Sequence, residues 1–287
     1  MRTVVIGGTG QLGQDLLRVL GDEAISLSHQ EFDVTDGVGV VETLRALKPD
    51  WVVNTAAFHR VDDCELNPTQ SFAVNATGAA NVARAAADLG AGVVFYSTDY
   101  VYGGEGRPRN TPHLESDPVD PLSVYGVSKW AGEQLVAQRN PRHIVVRSAG
   151  LYGTATSRKG WTFPELMVNK AKSEGKLKVV TDQALSPTYT HDLAETTVAL
   201  MRGDATGLFH LTNAGECSWW EFAKATVDLA GIAVEVEPTV STQLGRRAKR
   251  PPYSAMASER LSGTGVAPMR PWQEALEHYL TAKGLRG

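Results

Sequence analysis

Tyr125 and Lys129 stand four residues apart in the run Tyr125-Gly126-Val127-Ser128-Lys129, a spacing that puts both side chains on one face of a helix. A phenol beside an ammonium ion is a usable reversible acid, because the cation favours the phenolate of a group whose intrinsic pKa is ~10. Such a pair suits proton delivery to a carbonyl oxygen as hydride reaches its carbon, the chemistry of a ketone reductase. The spacing alone is not selective, since Tyr279 and Lys283 repeat it near the C-terminus. Their surroundings separate the two pairs. Ahead of Tyr125 an apolar run, Val93 to Tyr96, ends in Ser97-Thr98-Asp99-Tyr100, and polar side chains at the carboxyl end of a parallel strand lie where doubly wound folds bind ligands. Tyr279 and Lys283 lack such a neighbour and are read as an ordinary structural pair.

A second constellation lies at the start of the chain. The strand Thr3 to Ile6 runs into Gly7-Gly8-Thr9-Gly10-Gln11-Leu12-Gly13 and then a helix, Gln14 to Leu20. Glycines let the backbone approach a pyrophosphate, and the helix N-terminus adds oriented N–H groups and partial positive charge. Gly7, Gly10, Gln11, Leu12 and Gly13 are therefore expected against a dinucleotide. The second strand ends in Leu27-Ser28-His29 and not in the acidic residue that would bind ribose hydroxyls and repel a 2′-phosphate. Ser28 and His29 either donate hydrogen bonds to that phosphate or are simple turn residues. NADP(H) is favoured, with NAD(H) as a possible substitute.

These groups need a frame. Thr3 to Ile6, Ala24 to Leu27, Trp51 to Asn54, Val93 to Tyr96 and Ile144 to Arg147 read as strands. Between them lie helical patterns such as Thr69 to Leu89, with Phe72, Ala79, Val82, Ala86 and Leu89 on one face. Strands joined by helical crossovers are parallel, so the fold class is α/β, a doubly wound parallel sheet of Rossmann type. After a polar stretch, Thr154 to Gly160, a helix spans Phe163 to Ser173; Val179 to Thr181 and Leu208 to Leu211 read as further strands of the main sheet. The chain thus divides into a dinucleotide-binding domain, residues 1–153 plus 177–213, and a smaller interleaved substrate lobe, 154–176 plus 214–287. The lobe holds a helix from Ser218 to Leu229, a strand near Val234 to Val236 and a terminal helix from Trp272 to Lys283.

The 28 basic and 32 acidic residues give a net charge of −4 and form no long like-charged block, which argues against nucleic acid and favours a small-molecule partner. Cys64 and Cys217 belong to no paired motif, so neither a disulfide framework nor a metal site is assigned. No apolar run approaches the ~20 residues that span a bilayer, and a cytoplasmic location is expected.

The tight glycine spacing resembles that of the extended short-chain dehydrogenases. The chain as a whole resembles the dTDP-4-dehydrorhamnose reductase family. The likeness is carried by Gly7 to Gly13, Phe32-Asp33-Val34-Thr35-Asp36, Asn54-Thr55-Ala56-Ala57-Phe58, Val61-Asp62-Asp63-Cys64-Glu65, Ser97 to Tyr102 and Tyr125 to Glu133. Asp182-Gln183, Pro187-Thr188, His210-Leu211-Thr212-Asn213 and Arg250-Pro251 extend it. The resemblance implies that Thr98 holds the substrate carbonyl, strand alternation turning neighbouring Ser97 to the other side. It also implies that Asp33 and Val34 lie near adenine, that Ala56, Ala57 and Phe58 line the dinucleotide, that Tyr96 borders the nicotinamide, and that Thr98 and Asp99 meet the sugar. Asn75, Gly78 and Asn81 are read as helix contacts. Arg250 either pairs with a substrate diphosphate or lies in a solvated basic loop.

The expected reaction is reduction of the 4-keto group of a nucleotide-linked deoxysugar, with dTDP-4-dehydro-L-rhamnose as the substrate the resemblance implies. Lys129 would bind the nicotinamide ribose and lower the Tyr125 pKa. An epimerase or dehydratase would need a further acid–base group, for which His59, His113 and Glu115 are conceivable; a non-catalytic dinucleotide-binding subunit would not need the intact Thr98, Tyr125 and Lys129 set. A homodimer is possible. One departure stands out: where the family carries tryptophan in a stretch resembling Arg-Thr-Ser-Trp-Val-Tyr, this chain reads Arg147-Ser148-Ala149-Gly150-Leu151-Tyr152. Trp161 or Phe163 would have to supply the missing aromatic surface.

Overall fold

The structure, a computed structural model, describes residues 1–104, 109–155 and 160–287. The middle of the polar stretch 154–160, residues 156–159, lies outside the described residues. Strands β1 (Thr3–Ile6), β2 (Ala24–Leu27), β3 (Trp51–Asn54), β4 (Gly92–Thr98) and β5 (His143–Ser148) join an edge strand, Gly207–His210. They form a six-stranded sheet in the order edge strand, β5, β4, β3, β1, β2, parallel throughout.

Alternation along each strand divides the core between the two faces. Val5, Val53, Val94, Tyr96, Val146 and Phe209 face helix α1 (Gln11–Leu20) and the helix Thr190–Arg202. Val4, Ile6, Val52, Val93, Phe95 and Val145 face the helices Gly37–Leu47, Ala79–Ala87 and Val124–Arg139. Burial on both faces explains why these strands read as continuous apolar runs.

Two expectations change. The helix predicted from Thr69 to Leu89 is interrupted: Pro68–Phe72 and Ala79–Ala87 are α-helical, with a π-helical turn, Ala73–Gly78, between them. Such turns often mark functional positions, and here the turn carries Asn75. The second change concerns Val179 to Thr181, expected in the main sheet. The strand is Lys176–Val180, and it pairs in parallel with Glu235–Thr239 in a separate two-stranded sheet. Its Lys176 and Lys178 are exposed while Leu177 and Val179 are buried. A strand covered on one face alternates in this way, unlike the main-sheet strands. It packs with Met167, Ala171, Ala223 and Val227 in an apolar core of its own.

Candidate active site

The phosphate-type turn is built by close approach. Gly7 has φ +81°, and Gly10 N–H donates to the Gly7 carbonyl at 2.9 Å. A Cβ at Gly13 would fall 2.2 Å from the Gly7 oxygen, so only glycine allows α1 to start this near the turn. No side chain caps the start of α1 and no acidic residue lies in its first turn, and a Cβ at Gly10 would meet only the Gly7 oxygen, at 3.1 Å. An uncapped helix N-terminus beside an open glycine fits a pyrophosphate. The side chains of Gln11 and Leu12 point elsewhere: Gln11 Nε2 donates to the carbonyls of Gly153 (3.2 Å) and Ala155 (3.3 Å), and Leu12 is buried in the core.

The lining segments are fixed from behind. Asn75 accepts from Phe58 N–H at 2.9 Å and donates to Phe58 C=O at 3.0 Å, clamping the strand-end segment that holds Ala56, Ala57 and Phe58. Asn81 donates to Val34 C=O at 3.0 Å, and a Cβ at Gly78 would meet Val34 Cγ2 at 2.6 Å. Asp33 closes its own turn by accepting from Thr35 N–H and hydroxyl.

At the end of β2 the chain folds back, with Glu31 N–H and Phe32 N–H both donating to Ser28 C=O. This brings the Glu31 carboxylate onto Ser28, whose N–H (3.0 Å) and hydroxyl (2.6 Å) both donate to it. The acidic residue absent from positions 27–29 is thus supplied by a tight turn, and the Ser28 hydroxyl is already engaged. His29 lies close enough to Asp33 to help lower its carboxyl pKa, behind the hydrogen bonds from Thr35.

The helix Val124–Arg139 is started by Ser123, whose hydroxyl accepts from Gly126 N–H at 3.2 Å. Gly132 lets this helix press on the sheet: a Cβ there would lie 2.2 Å from the Asn75 carbonyl and 2.8 Å from Phe95 Cζ. Lys129 is 2% exposed, with Nζ 4.0 Å over the Phe95 ring. The Tyr125 phenol is turned toward Thr98, which acts to lower its pKa, and its ring meets Tyr100 edge-on at 6.0 Å. Thr98 also accepts from Tyr100 N–H at 3.1 Å and donates to Asp99 Oδ1 at 3.0 Å, while Ser254 donates to Asp99 Oδ2 at 2.6 Å. Ser97 turns the other way, to Glu133.

Burial governs the charges. It pushes Tyr125 above its ordinary pKa, against a lowering hydrogen bond from Thr98, and pushes Lys129 down to about 7, against the raising influence of Glu133. The expected lowering of Tyr125 by Lys129 is therefore outweighed, because neither charged form is solvated. Burial also raises the Asp99 carboxyl to about 6.

Other residues fall as follows. Tyr96 donates from its hydroxyl to Thr197 at 2.9 Å within the core on the opposite face of the sheet from Phe95, so its phenol is directed to a helix and not to Lys129. Tyr279 is fully buried with its hydroxyl 2.7 Å from Thr162, and Lys283 pairs with Glu165 at 2.6 Å; the second Tyr–Lys pair is structural. Arg250 is held by Asp62 at 2.7 Å and lies near Tyr100, whose pKa it acts to lower. Glu115 accepts from His210 N–H and Glu259 N–H, and His113 stacks on Tyr102 at 4.0 Å. Both belong to buried structure behind the site.

Gly150 has φ +52°, and a Cβ there would lie 2.6 Å from Leu185 Cδ1 and 3.6 Å from the Trp219 indole. The space beside it is occupied by Leu185 and Trp219. Phe163 instead stacks on Phe222 and packs against Trp219 in the lobe core, and Trp161 is 42% exposed. Nothing in local sequence pointed to Trp219, since it reaches Gly150 only through the fold.

A parallel doubly wound sheet whose glycine turn lies at the same end as a Thr–Tyr–Lys cluster defines an extended short-chain dehydrogenase/reductase. The family model described as the RmlD substrate binding domain matches residues 1–284. A dTDP-4-dehydrorhamnose reductase of Mycobacterium tuberculosis is 37% identical over 287 residues, 98% of this chain and 93% of that protein. Among solved structures, a dTDP-4-dehydrorhamnose reductase of Clostridium acetobutylicum superposes with a TM-score of 0.93 at 37% identity, covering 98% of this chain and 99% of the other. One from Bacillus anthracis, in complex with NADP, gives 0.92 at 33% identity with the same coverage. The chain belongs to the dTDP-4-dehydrorhamnose reductase family. No described helix is long and apolar enough to cross a membrane.

Proposed function

We propose that the chain catalyses NADPH-dependent reduction of the 4-keto group of a nucleotide-linked deoxysugar, with dTDP-4-dehydro-L-rhamnose as substrate and dTDP-L-rhamnose as product. The observation that carries this reading is the placement of Thr98 at the carboxyl end of β4 beside the helix Val124–Arg139, which carries Tyr125 and, one turn on, the buried Lys129. Relatives named for this reaction, one of them in complex with NADP, support it.

The cofactor, when bound, supplies the hydride. Thr98, its hydroxyl turning from Asp99 to the substrate, holds the carbonyl oxygen, and Tyr125 passes its proton to that oxygen as negative charge develops there. Lys129 donates to the cofactor's ribose and, as an ammonium ion, favours the phenolate left behind. Asp99, which Ser254 holds through its other oxygen, accepts the Thr98 hydroxyl before substrate binds. The sugar nucleotide is assigned to the smaller lobe, to which the strand Lys176–Val180 belongs through its pairing with Glu235–Thr239. A cytoplasmic homodimer accompanies this reading. NADPH oxidation against a panel of nucleotide-linked 4-keto sugars, with products identified by NMR, tests it; NADPH binding without turnover of any of them would refute it.

Two predictions attach here. Trp219 and Leu185 form the apolar wall of the sugar pocket where the family's tryptophan is replaced by Gly150. Trp219→Ala is expected to raise KM for the sugar about tenfold while changing kcat less, the scale of one lost aromatic contact; an unchanged KM would remove Trp219 from the pocket. Glu31 opposes a 2′-phosphate next to Ser28. Glu31→Gln should lower KM for NADPH about two- to fivefold, typical of an exposed charge contact, without a matching gain for NADH in parallel initial-rate assays.

A further inference from the structure

We infer that Glu133 is a positioning residue that keeps Lys129 in its ammonium form, acting from one helical turn away as a buried carboxylate that Arg147 and Ser97 hold in place. The inference rests on the role proposed for Lys129. Lys129 is 2% exposed and its Nζ faces the Phe95 ring at 4.0 Å, a contact that only partly replaces water around a cation. A lysine so placed loses its proton readily unless a negative charge is near.

Glu133 follows Lys129 by four residues, on the same face of the helix, and is 3% exposed. The two make no direct ion pair among the described residues. The Glu133 oxygens are taken instead by Ser97, by Arg147 Nε at 2.9 Å and by Arg147 Nη2 at 2.6 Å. Arg147 is anchored in turn, donating from Nη1 to the Tyr102 hydroxyl at 2.6 Å, which lies 3.0 Å from His210 Nε2. The carboxylate cannot swing away, and a fixed charge in a dry site acts over a longer range than in water.

Around this end of the helix lie Tyr125 on the same helix, Asp99 and Tyr100 after β4, Arg147 on β5, Tyr102 beyond Asp99, and Cys64 and Glu65 on the helix Val61–Leu66, with Glu65 accepting from Val124 N–H at 2.8 Å at the start of the helix. Asp99 is committed to Thr98 and Ser254. Glu133 is thus the carboxylate placed to favour the Lys129 cation, and it raises the Lys129 pKa against burial.

The test reads Lys129 directly, without substrate, from the pH titration of its 13Cε NMR signal, assigned with Lys129→Met. In Glu133→Gln the midpoint is expected about one pH unit lower than in the wild type, and the alkaline limb of kcat/KM moves down with it. Because Glu133→Gln leaves Arg147 without its partner, the double variant Glu133→Gln/Arg147→Met, which removes the pair together, provides the second reading; its midpoint is expected to fall less than the single variant's, because the repelling Arg147 cation leaves with the carboxylate. An unchanged midpoint in whichever of these variants folds would overturn the inference and make the pair a neutral strut. Retention of activity in Lys129→Met would instead strike at the proposed function and leave the titration result standing.

Discussion

Tyr125→Phe is expected to lower kcat for 4-keto sugar reduction by about 100- to 10,000-fold, the usual worth of a positioned general acid, while leaving cofactor affinity and the unfolding midpoint close to wild type. The phenol is chemically committed but structurally dispensable. Thr98 has Asp99 and Tyr100 N–H as its own partners and keeps them without the phenol. The ring, which packs edge-on against Tyr100, is retained by phenylalanine. Steady-state rates with saturating NADPH, beside a cofactor titration and a thermal melt, separate the two effects. Activity within a few-fold of wild type would mean that another group, or water, delivers the proton.

Arg147→Met is expected to cost stability, about 3–5 kcal/mol, the scale for breaking a buried ion pair and stranding one partner. Arg147 and Glu133 side chains are 4% and 3% exposed. Methionine fills the aliphatic volume but returns none of the hydrogen bonds to Glu133 and Tyr102. Urea unfolding monitored by fluorescence reads the loss. Adding Glu133→Gln should recover part of it, since a neutral amide is cheaper to bury than a lone carboxylate. A loss below about 1 kcal/mol, the range of solvent-exposed pairs, would show that water reaches this network.

Much of the frame was legible because its causes are local. Four strands, β1, β3, β4 and β5, could be read from apolar runs that are buried on both sides, the edge strand β2 from its short apolar pattern, and the glycine turn from its place between the first strand and α1. The Tyr125–Lys129 spacing was a one-turn helical relation, and the choice against Tyr279–Lys283 rested on what precedes each. The misplaced strand, Lys176–Val180, shows where local reading stops. Its Lys-Leu-Lys-Val alternation already signals one covered face, yet its partner, Glu235–Thr239, lies far along the chain. The π-helical turn was likewise invisible, because what it serves is the Asn75 clamp on Phe58, a contact across the site.

By itself, the sequence determined the class of fold and singled out the glycine turn and the Tyr125–Lys129 pair as candidates, since each depends on residues close in the chain whose geometry follows from helix or strand period. Tertiary structure alone decided the rest. It turned Glu31 back onto Ser28, brought Trp219 to the gap at Gly150, tied Arg250 to Asp62, and set Glu133 between Lys129 and Arg147. It also reversed the expected charge balance, because the desolvation that raises Tyr125 and lowers Lys129 comes from neighbours packed around them. Residue spacing specifies which groups can meet, but the dielectric around them is a property of the packed protein.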